Sequence, residues 1–525
     1  MLDSVCGVDR SRRERRPDEL TSTQSAQLRA LVLANIRDVL RGYGTSGEEQ
    51  LRELPVLTTE EQAYVDRVQG DANASHLIRS ELQYNRSEQL QLFKERYANV
   101  KNLASQRRVV DAVIKALDTN APMCAFVDAP GGCGKTYIFN CLLNKVRSQG
   151  KIALAVASTG IASILLEGGR TLHSRMKGAP LKPTADDPTW IDAGSELATL
   201  IRRAELIVWD EAPMNHRYLM EGLDRTLRDL MAGPNQTADD MPPFGGKIIV
   251  LGGDFRQVLP VMRRASRAQI VDSCIKRSSL WRAFDVFHLT DNMRVRMADP
   301  RGAERGLLES WAAWLLALGR NDTIEMQQLQ RAALDTSGLP NAAVTLESDG
   351  TQISLPSNFC VDGGRDSLIE WVYPNLKEHL GDADYFATRA MLAPRHTAVH
   401  EINQSVLDRI AGEELCHTSC DELALDETSP IPTEFLNSLT DGGLPPHELH
   451  LKRGVPVMLL RNLRVEEGLC NGTQLMVKSF TRGGAMVAEI ITGPKRGNTV
   501  LIPRVRLYGD NTMWPFQWHR TQERP

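Results

Sequence analysis

The chain has little that would mark it as secreted, membrane-spanning or globally basic. Its nine cysteines are scattered through 525 residues with no even, short-spaced framework. That argues against a disulfide scaffold and for reduced thiols in the cytosol or nucleus. Cys416 and Cys420 flank His417, but no second ligand pair follows, so zinc is not expected there. No apolar run approaches the roughly 20 residues a membrane-spanning helix needs, and the N-terminus lacks the apolar core of a secretory signal. The formal net charge is −4, so any nucleic acid must meet a local basic groove. No long-period repeat is present. The early basic run of Arg10, Arg12, Arg13, Arg15 and Arg16 reads as a solvated, disordered start in preference to a nuclear address or a phosphate-binding arm.

What remains is ordinary globular text, 42% hydrophobic and 24% charged, long enough for two to four domains. Residues 1–20 read as disordered. Residues 21–95 read as a polar helical region without chemistry. From about 96 the rhythm changes. Short apolar strands, MCAFVDA, IALAVAS, ELIVWDE, KIIVLGG and VFHLTD, alternate with helical stretches. Near-continuous apolar strands in such alternation predict an α/β fold, a parallel sheet covered by helices on both faces. Residues 178–195 and 231–246 read as loops. Residues 296–384 read as a helical and loop connection. ATRAMLAPRHTAVHEINQSVLDRI, just past Tyr385, predicts a strand, a turn and a helix. A β-rich segment follows at about 446–511, its runs separated by Gly- and Asn-rich turns.

One stretch carries clear chemistry. Strand MCAFVDA runs into APGGCGKT and then into a helical run. Gly131, Gly132 and Gly134 let the backbone curl so that its N–H groups face phosphate oxygens, with Pro130 and Cys133 completing the loop. The helix opening near Lys135 adds its positive end. Lys135 is placed to reach the β- and γ-phosphates of ATP, and the Thr136 hydroxyl to ligate Mg²⁺. Ala129 stands where the usual pattern has Gly.

Other strand ends supply matching groups. ELIVWDE ends on Asp210, a candidate Mg²⁺ partner, and Glu211, a candidate to polarise the attacking water. GDFRQVLP places Gln257 to orient water or sense the γ-phosphate; a turn-capping amide is the plainer alternative. DNMR places Arg294 as a candidate transition-state arginine, against a surface salt bridge. STGIAS follows another strand, so Ser158, Thr159 and nearby N–H groups face the sheet end and suit DNA phosphates without base reading. His173 suits stacking there or a satisfied core position.

Taken together, DAPGGCGKT, ASTGIASILLEGGRTLHSRM, LIVWDEAPM, GGDFRQVLPV, LTDNMRV, PPHELHLKRGVPVMLLRNL and GLCNGT resemble the Pif1-family DNA helicases, alone or within Helitron transposons, over about 100–510. The resemblance implies a superfamily 1 P-loop NTPase with RecA-like modules, the first at 96–295 and the second within 385–525, carrying the β-rich insertion. It implies ATP with Mg²⁺ in the cleft, 5′→3′ movement on single-stranded or forked DNA, and work in the nucleus or mitochondrion. It assigns Gln106 to adenine, Gly134, Lys135 and Thr136 to phosphate, Asp210 and Glu211 to metal and base, and Thr159, Gly160 and His173 to single-stranded DNA.

The family's later Thr/Asn-Lys-Ser/Ala-Gln-Gly and Ser-Arg motifs do not follow the β-rich segment. The second module is therefore expected to be incomplete, with exposed strand edges. Two functions follow: an ATP-dependent helicase of repair, recombination, telomere maintenance or transposition, and a truncated nucleotide-binding remnant without unwinding. A signalling GTPase is disfavoured by the lack of an Asn-Lys-x-Asp motif. The paired histidines and tyrosine of a nicking endonuclease are also missing.

Overall fold

A computed structural model describes residues 58, 76–177, 179–180, 183–187, 190–233, 235–257, 260–262, 265–298, 305–320, 360–423, 431–439, 444–481, 485–508 and 516–522. The expected disordered start at 1–20 and most of the helical region at 21–95 lie outside them. The chain divides into two compact units, one of residues 1–93, 144–153 and 191–205, the other of 94–143, 154–190 and 206–525.

The helices before the sheet are α1 (His76–Leu82), α2 (Arg86–Asn99) and α3 (Ala104–Thr119). Within the first unit Arg147 is buried, its guanidinium 4.0 Å over the Tyr84 ring and donating to the Ala153 carbonyl at 3.3 Å. The Asn144 amide donates to Gln89 at 2.6 Å. These two buried side chains thus each find a carbonyl or amide partner.

The chain then alternates: β1 (Met123–Asp128), α4 (Lys135–Ser148), β2 (Ile152–Ala157), α5 (Gly160–Leu165), β3 (Arg170–Thr171), α6 (Leu172–Met176), α7 (Glu196–Arg203), β4 (Ala204–Asp210), α8 (Arg217–Met231), β5 (Ile248–Gly253), α9 (Arg267–Ser273) and β6 (Asp285–His288). The strands form one six-stranded sheet in the order β3-β2-β4-β5-β1-β6. The pairings of β1 with β5 and β6, β2 with β3, and β4 with β5 are all parallel. Every residue of β2 and β5 is buried, as strands covered on both faces must be. All five strands expected from the sequence are present; the two-residue β3 is an addition. β6 departs from the expectation of full burial because it is an edge strand with three exposed residues out of four. A Cβ on Gly252 would lie 2.4 Å from the Phe139 ring, so that glycine lets α4 approach the sheet closely.

Beyond the sheet run α10 (Met293–Ala298), α11 (Arg305–Arg320), α12 (Gly364–Val372), α13 (Ala383–Ala387) and α14 (His396–Arg409). No strand forms in the expected strand–turn–helix past Tyr385. Residues 389–395 lack regular structure and Leu392 is 94% exposed, so the apolar letters there meet no partner strand.

The last part is β7 (Leu415–Leu423), α15 (Thr433–Ser438), β8 (Glu448–Leu451), β9 (Pro456–Met458), β10 (Gln474–Phe480), β11 (Met486–Ile490), β12 (Thr499–Ile502), β13 (Arg506–Tyr508) and β14 (Trp518–Gln522). These make two four-stranded sheets, β12-β11-β10-β9 and β13-β14-β7-β8. Their recorded pairings are antiparallel. The β-rich segment is therefore wider than 446–511. Among the described residues no parallel pair follows β6, so a second RecA-like sheet is not formed there. β14 sits between β13 and β7, and the sheet edges of this region are β13, β8, β12 and β9.

Candidate nucleotide site and its neighbours

The phosphate loop leaves β1, which lies between β5 and the edge strand β6. The Ala129 N–H donates to Gly253 O at 3.1 Å, and the Leu289 N–H donates to Asp128 O at 2.9 Å. The loop thus leaves β1 anchored by both neighbouring strands. Gly132 and Gly134 take φ of 88° and 80°, a left-handed conformation in which a side chain is strained. A Cβ on Gly132 would also meet Asn292 Oδ1 at 2.8 Å. The Ile138 N–H donates to Gly134 O at 3.1 Å, so α4 opens directly beneath the loop with its N-terminal N–H groups toward it.

Lys135 reaches across to the end of β4. Its Nζ bonds to Asp210 Oδ1 and lies 2.8 Å from Glu211 Oε1. Asp210 is buried and Glu211 half-buried. Two carboxylates facing one ammonium at the carboxyl end of a parallel sheet form a polar site where such folds place ligands. Glu211 has φ 53°, which for a non-glycine residue costs about 1–3 kcal/mol. The turn is held locally: the Glu211 N–H donates to Asp210 Oδ1 at 2.8 Å, and the Ser158 hydroxyl donates to Glu211 O at 2.6 Å.

Several residues expected at the site are near it but engaged differently. Ser158 Oγ also accepts from Trp209 Nε1 at 3.2 Å and from the Asn215 amide. Its hydroxyl is therefore engaged inside the chain. The Thr159 hydroxyl caps α5 by accepting from Ala162 N at 3.2 Å. Gly160 is buried: a Cβ there would meet Asn462 Oδ1 at 2.6 Å and Cys470 Cβ at 2.7 Å. The residue packs closely against the turns of the β-rich segment. His173 Nε2 lies 3.2 Å from Pro180 O, tying α6 to its loop. Gln106, 1% exposed, donates to Cys133 O and Asp291 O, both at 3.2 Å, and accepts from Ser105 Oγ at 2.9 Å. It joins α3, the phosphate loop and the DNMR segment.

Arg294 and Gln257 are exposed. The Arg294 N–H donates to Gly132 O at 3.2 Å, which lays the DNMR segment over the phosphate loop. Gln257 follows β5, where its N–H donates to Asp254 O at 3.1 Å. Thr136 is half-buried on the first turn of α4 and Gly131 is exposed with nothing within 4 Å of a Cβ. Burial pushes the Cys133 thiol up from its ordinary pKa, so Cys133 is a packing residue of the loop.

The sequence reading passed over one cluster. Arg256 Nε donates to Asp254 Oδ1 at 2.6 Å, and its Nη2 lies 3.4 Å from Asp128 Oδ1. Asp128 Oδ2 is 3.0 Å from His288 Nδ1. These groups close three adjacent strand ends beside the loop. All four residues sit in stretches already marked by motif, DAPGGCGKT, GDFRQ and VFHLT.

A family model described as PIF1-like helicase matches residues 102–329, and one described as the 2B domain of the DNA helicase Pif1 matches residues 434–480. The chain belongs to the Pif1-like helicase family. The matched spans hold the whole parallel sheet and the heart of the β-rich region. The chain is 31% identical over 180 residues to the ATP-dependent DNA helicase RRM3 of Saccharomyces cerevisiae, covering 34% of this chain and 23% of that one. It is 22% identical over 358 residues to the ATP-dependent DNA helicase Pif1 of Psychrobacter, covering 68% and 44%. It thus spans less than half of either relative. A solved structure of Bacteroides Pif1 bound to single-stranded DNA superposes with TM-score 0.48 at 20% identity, over 78% of this chain and 79% of that one. Among the described residues no helix is long and apolar enough to cross a membrane.

Proposed function

We propose that the chain binds ATP with Mg²⁺ at the phosphate loop and works as an ATP-dependent DNA helicase that moves 5′→3′ on single-stranded or forked DNA, in the nucleus or mitochondrion. The observation that carries this reading is Lys135 held by Asp210 and Glu211 at the mouth of the glycine loop. The residues fit the ligand. Positive-φ glycines curl the loop, Lys135 matches phosphate charge, and Thr136 with Asp210 offers hard oxygen donors for Mg²⁺. Bound Mg²⁺ would offset phosphate charge, and ATP would supply the free energy. Lys135 would exchange its carboxylate partners for phosphate oxygens. Glu211 would then be released to take the proton of the attacking water. Gln257, after β5, and Arg294, on α10 after β6, would orient water and offset developing charge. Repair, recombination, telomere maintenance and transposition all need such movement.

A second reading has its own support. With no parallel strand pair after β6 among the described residues, the opposing wall that would add a transition-state arginine is not formed there, and such an arginine is worth about 10³–10⁵ in rate. A chain lacking it would bind nucleotide without unwinding. The test is steady-state ATP hydrolysis with and without single-stranded DNA, for wild type and Lys135→Ala. Turnover that rises with DNA and disappears in the variant supports the motor. Nucleotide binding without turnover refutes it in favour of the remnant, and no binding refutes both.

A further inference from the structure

We propose that Cys416, Glu448 and His450 form a binding site for Zn²⁺ or a similar borderline-soft divalent ion on the outer face of the β7–β8 pair. The pairing sets this up. Cys416 is the register partner of His450, and Thr418 of Glu448, so all four side chains share one face. That face is the outer one: on β7 His417, Ser419 and Asp421 are buried, and Cys416, Thr418 and Cys420 are half-buried or exposed. Ligand atoms of Cys416, Glu448 and His450 lie within 4.8 Å of one another. His450 Nε2 is already 3.8 Å from Glu448 Oε2. Zinc bonds of about 2.0–2.3 Å in a tetrahedron need ligand atoms roughly 3.3–3.8 Å apart. A closure of about 1 Å therefore suffices, and the Glu448 side chain, 62% exposed, has room to make it.

The other ring nitrogen supplies the second argument. His450 Nδ1 lies 2.7 Å from Glu414 Oε1. A carboxylate on Nδ1 fixes the tautomer that leaves Nε2 as a lone-pair donor, the arrangement metal-ligating histidines commonly have. Lys452 Nζ, 3.8 Å from Glu414 Oε2, offsets the charge of that carboxylate. One thiolate, one carboxylate and one neutral imidazole then balance a divalent cation and leave its fourth position to water. The ion would clip β7 to β8. His417, which lies between Cys416 and Cys420 in sequence, is on the opposite face with its ring 4.7 Å from Phe480 and takes no part.

Titration of the full chain with Co²⁺, without nucleotide or Mg²⁺, tests the site. One equivalent should produce a thiolate-to-cobalt charge-transfer absorption that Zn²⁺ displaces. Cys416→Ser should abolish the absorption and His450→Ala should weaken binding, with circular dichroism checking the fold of each. Cys420→Ser should leave it intact. Glu414→Gln should keep the absorption and weaken binding about 10–100-fold, as loss of a partner behind a ligand does. No thiolate absorption in the wild type, or one that persists in Cys416→Ser, overturns the proposal. If Cys416→Ser does not fold, an unchanged affinity in Glu414→Gln overturns it.

Discussion

Arg520 gives the sharpest energetic test of the C-terminal sheets. It lies on β14, 1% exposed, and its guanidinium faces Asp421 on β7, the register partner. Nε donates to Oδ1 at 2.9 Å and Nη2 to Oδ2 at 2.6 Å. The remaining N–H groups donate to the carbonyls of Pro445, Leu436 and Asn437 at 3.0–3.3 Å. Leu436 and Asn437 close α15, so the arginine also caps that helix. Asp421 accepts a further bond from Ser419 Oγ at 2.8 Å. Every charge here is paired and buried. Removing one partner strands the other, and that costs about 3–5 kcal/mol. At 1.36 kcal/mol per tenfold, amide exchange through opening of β7 and β14 should accelerate in Arg520→Met by about two to nearly four powers of ten. The double variant Arg520→Met with Asp421→Leu should recover most of this, because no orphan charge remains. Hydrogen exchange read by mass spectrometry on peptides covering 415–423 and 516–522 is the assay. An acceleration below tenfold in Arg520→Met, or a double variant as labile as the single one, would refute the argument from buried pairing.

Other outcomes follow from geometry already described. Gly160→Ala places a Cβ 2.6–2.7 Å from Asn462 and Cys470 and should cost about 1–3 kcal/mol of stability, whereas Gly131→Ala, with nothing within 4 Å, should leave the urea midpoint unchanged. Glu211→Gln keeps the loop and Lys135, so nucleotide affinity should persist while turnover falls about 10²–10⁴-fold; equal loss of both would assign Glu211 to binding. Burial pushes the thiols of Cys124 and Cys141 up to about 12, so about one in ten thousand is thiolate at pH 8. Iodoacetamide at pH 8 should label exposed Cys360 and spare these two until denaturant is added. Their reactivity should rise only as pH climbs toward 12, and early labelling would contradict the packing.

The parallel sheet was legible because its strands carry their own evidence. IALAVA and IIVLGG are apolar at every position, and both are buried throughout, so pattern and environment agree. The pattern failed where a neighbour decides the outcome. Residues 385–395 contain the letters of a strand, but they pair with none of the described strands, so Leu392 stands in solvent. β7 was missed for the converse reason. LCHTSCDEL has few strand-forming apolar residues, yet it pairs with β14 and β8 on either side. Its buried face is filled by His417, Ser419 and Asp421, where Arg520, about a hundred positions later, pairs with Asp421 and His447 Nδ1 lies 2.8 Å from Ser419 Oγ.

The site shows the same limit at the scale of single residues. Lys135, Asp210 and Glu211 were identifiable because strand, glycine loop and strand end fix where each must lie, and the structure does bring them together. Residue type alone said much less about Ser158, Thr159 and Gly160. A hydroxyl after a strand can face a ligand or tie down the next turn with equal chemistry. The choice is made by Glu211, whose φ of 53° leaves a carbonyl that must be held, and Ser158 is the donor within reach. Thr159 is then committed by the need of α5 for an N-terminal acceptor. Gly160 is committed by the approach of Asn462 and Cys470, some 300 positions away in sequence. Each step is an ordinary requirement of backbone satisfaction or close packing. Together they make this segment a joint between the phosphate site and the β-rich segment.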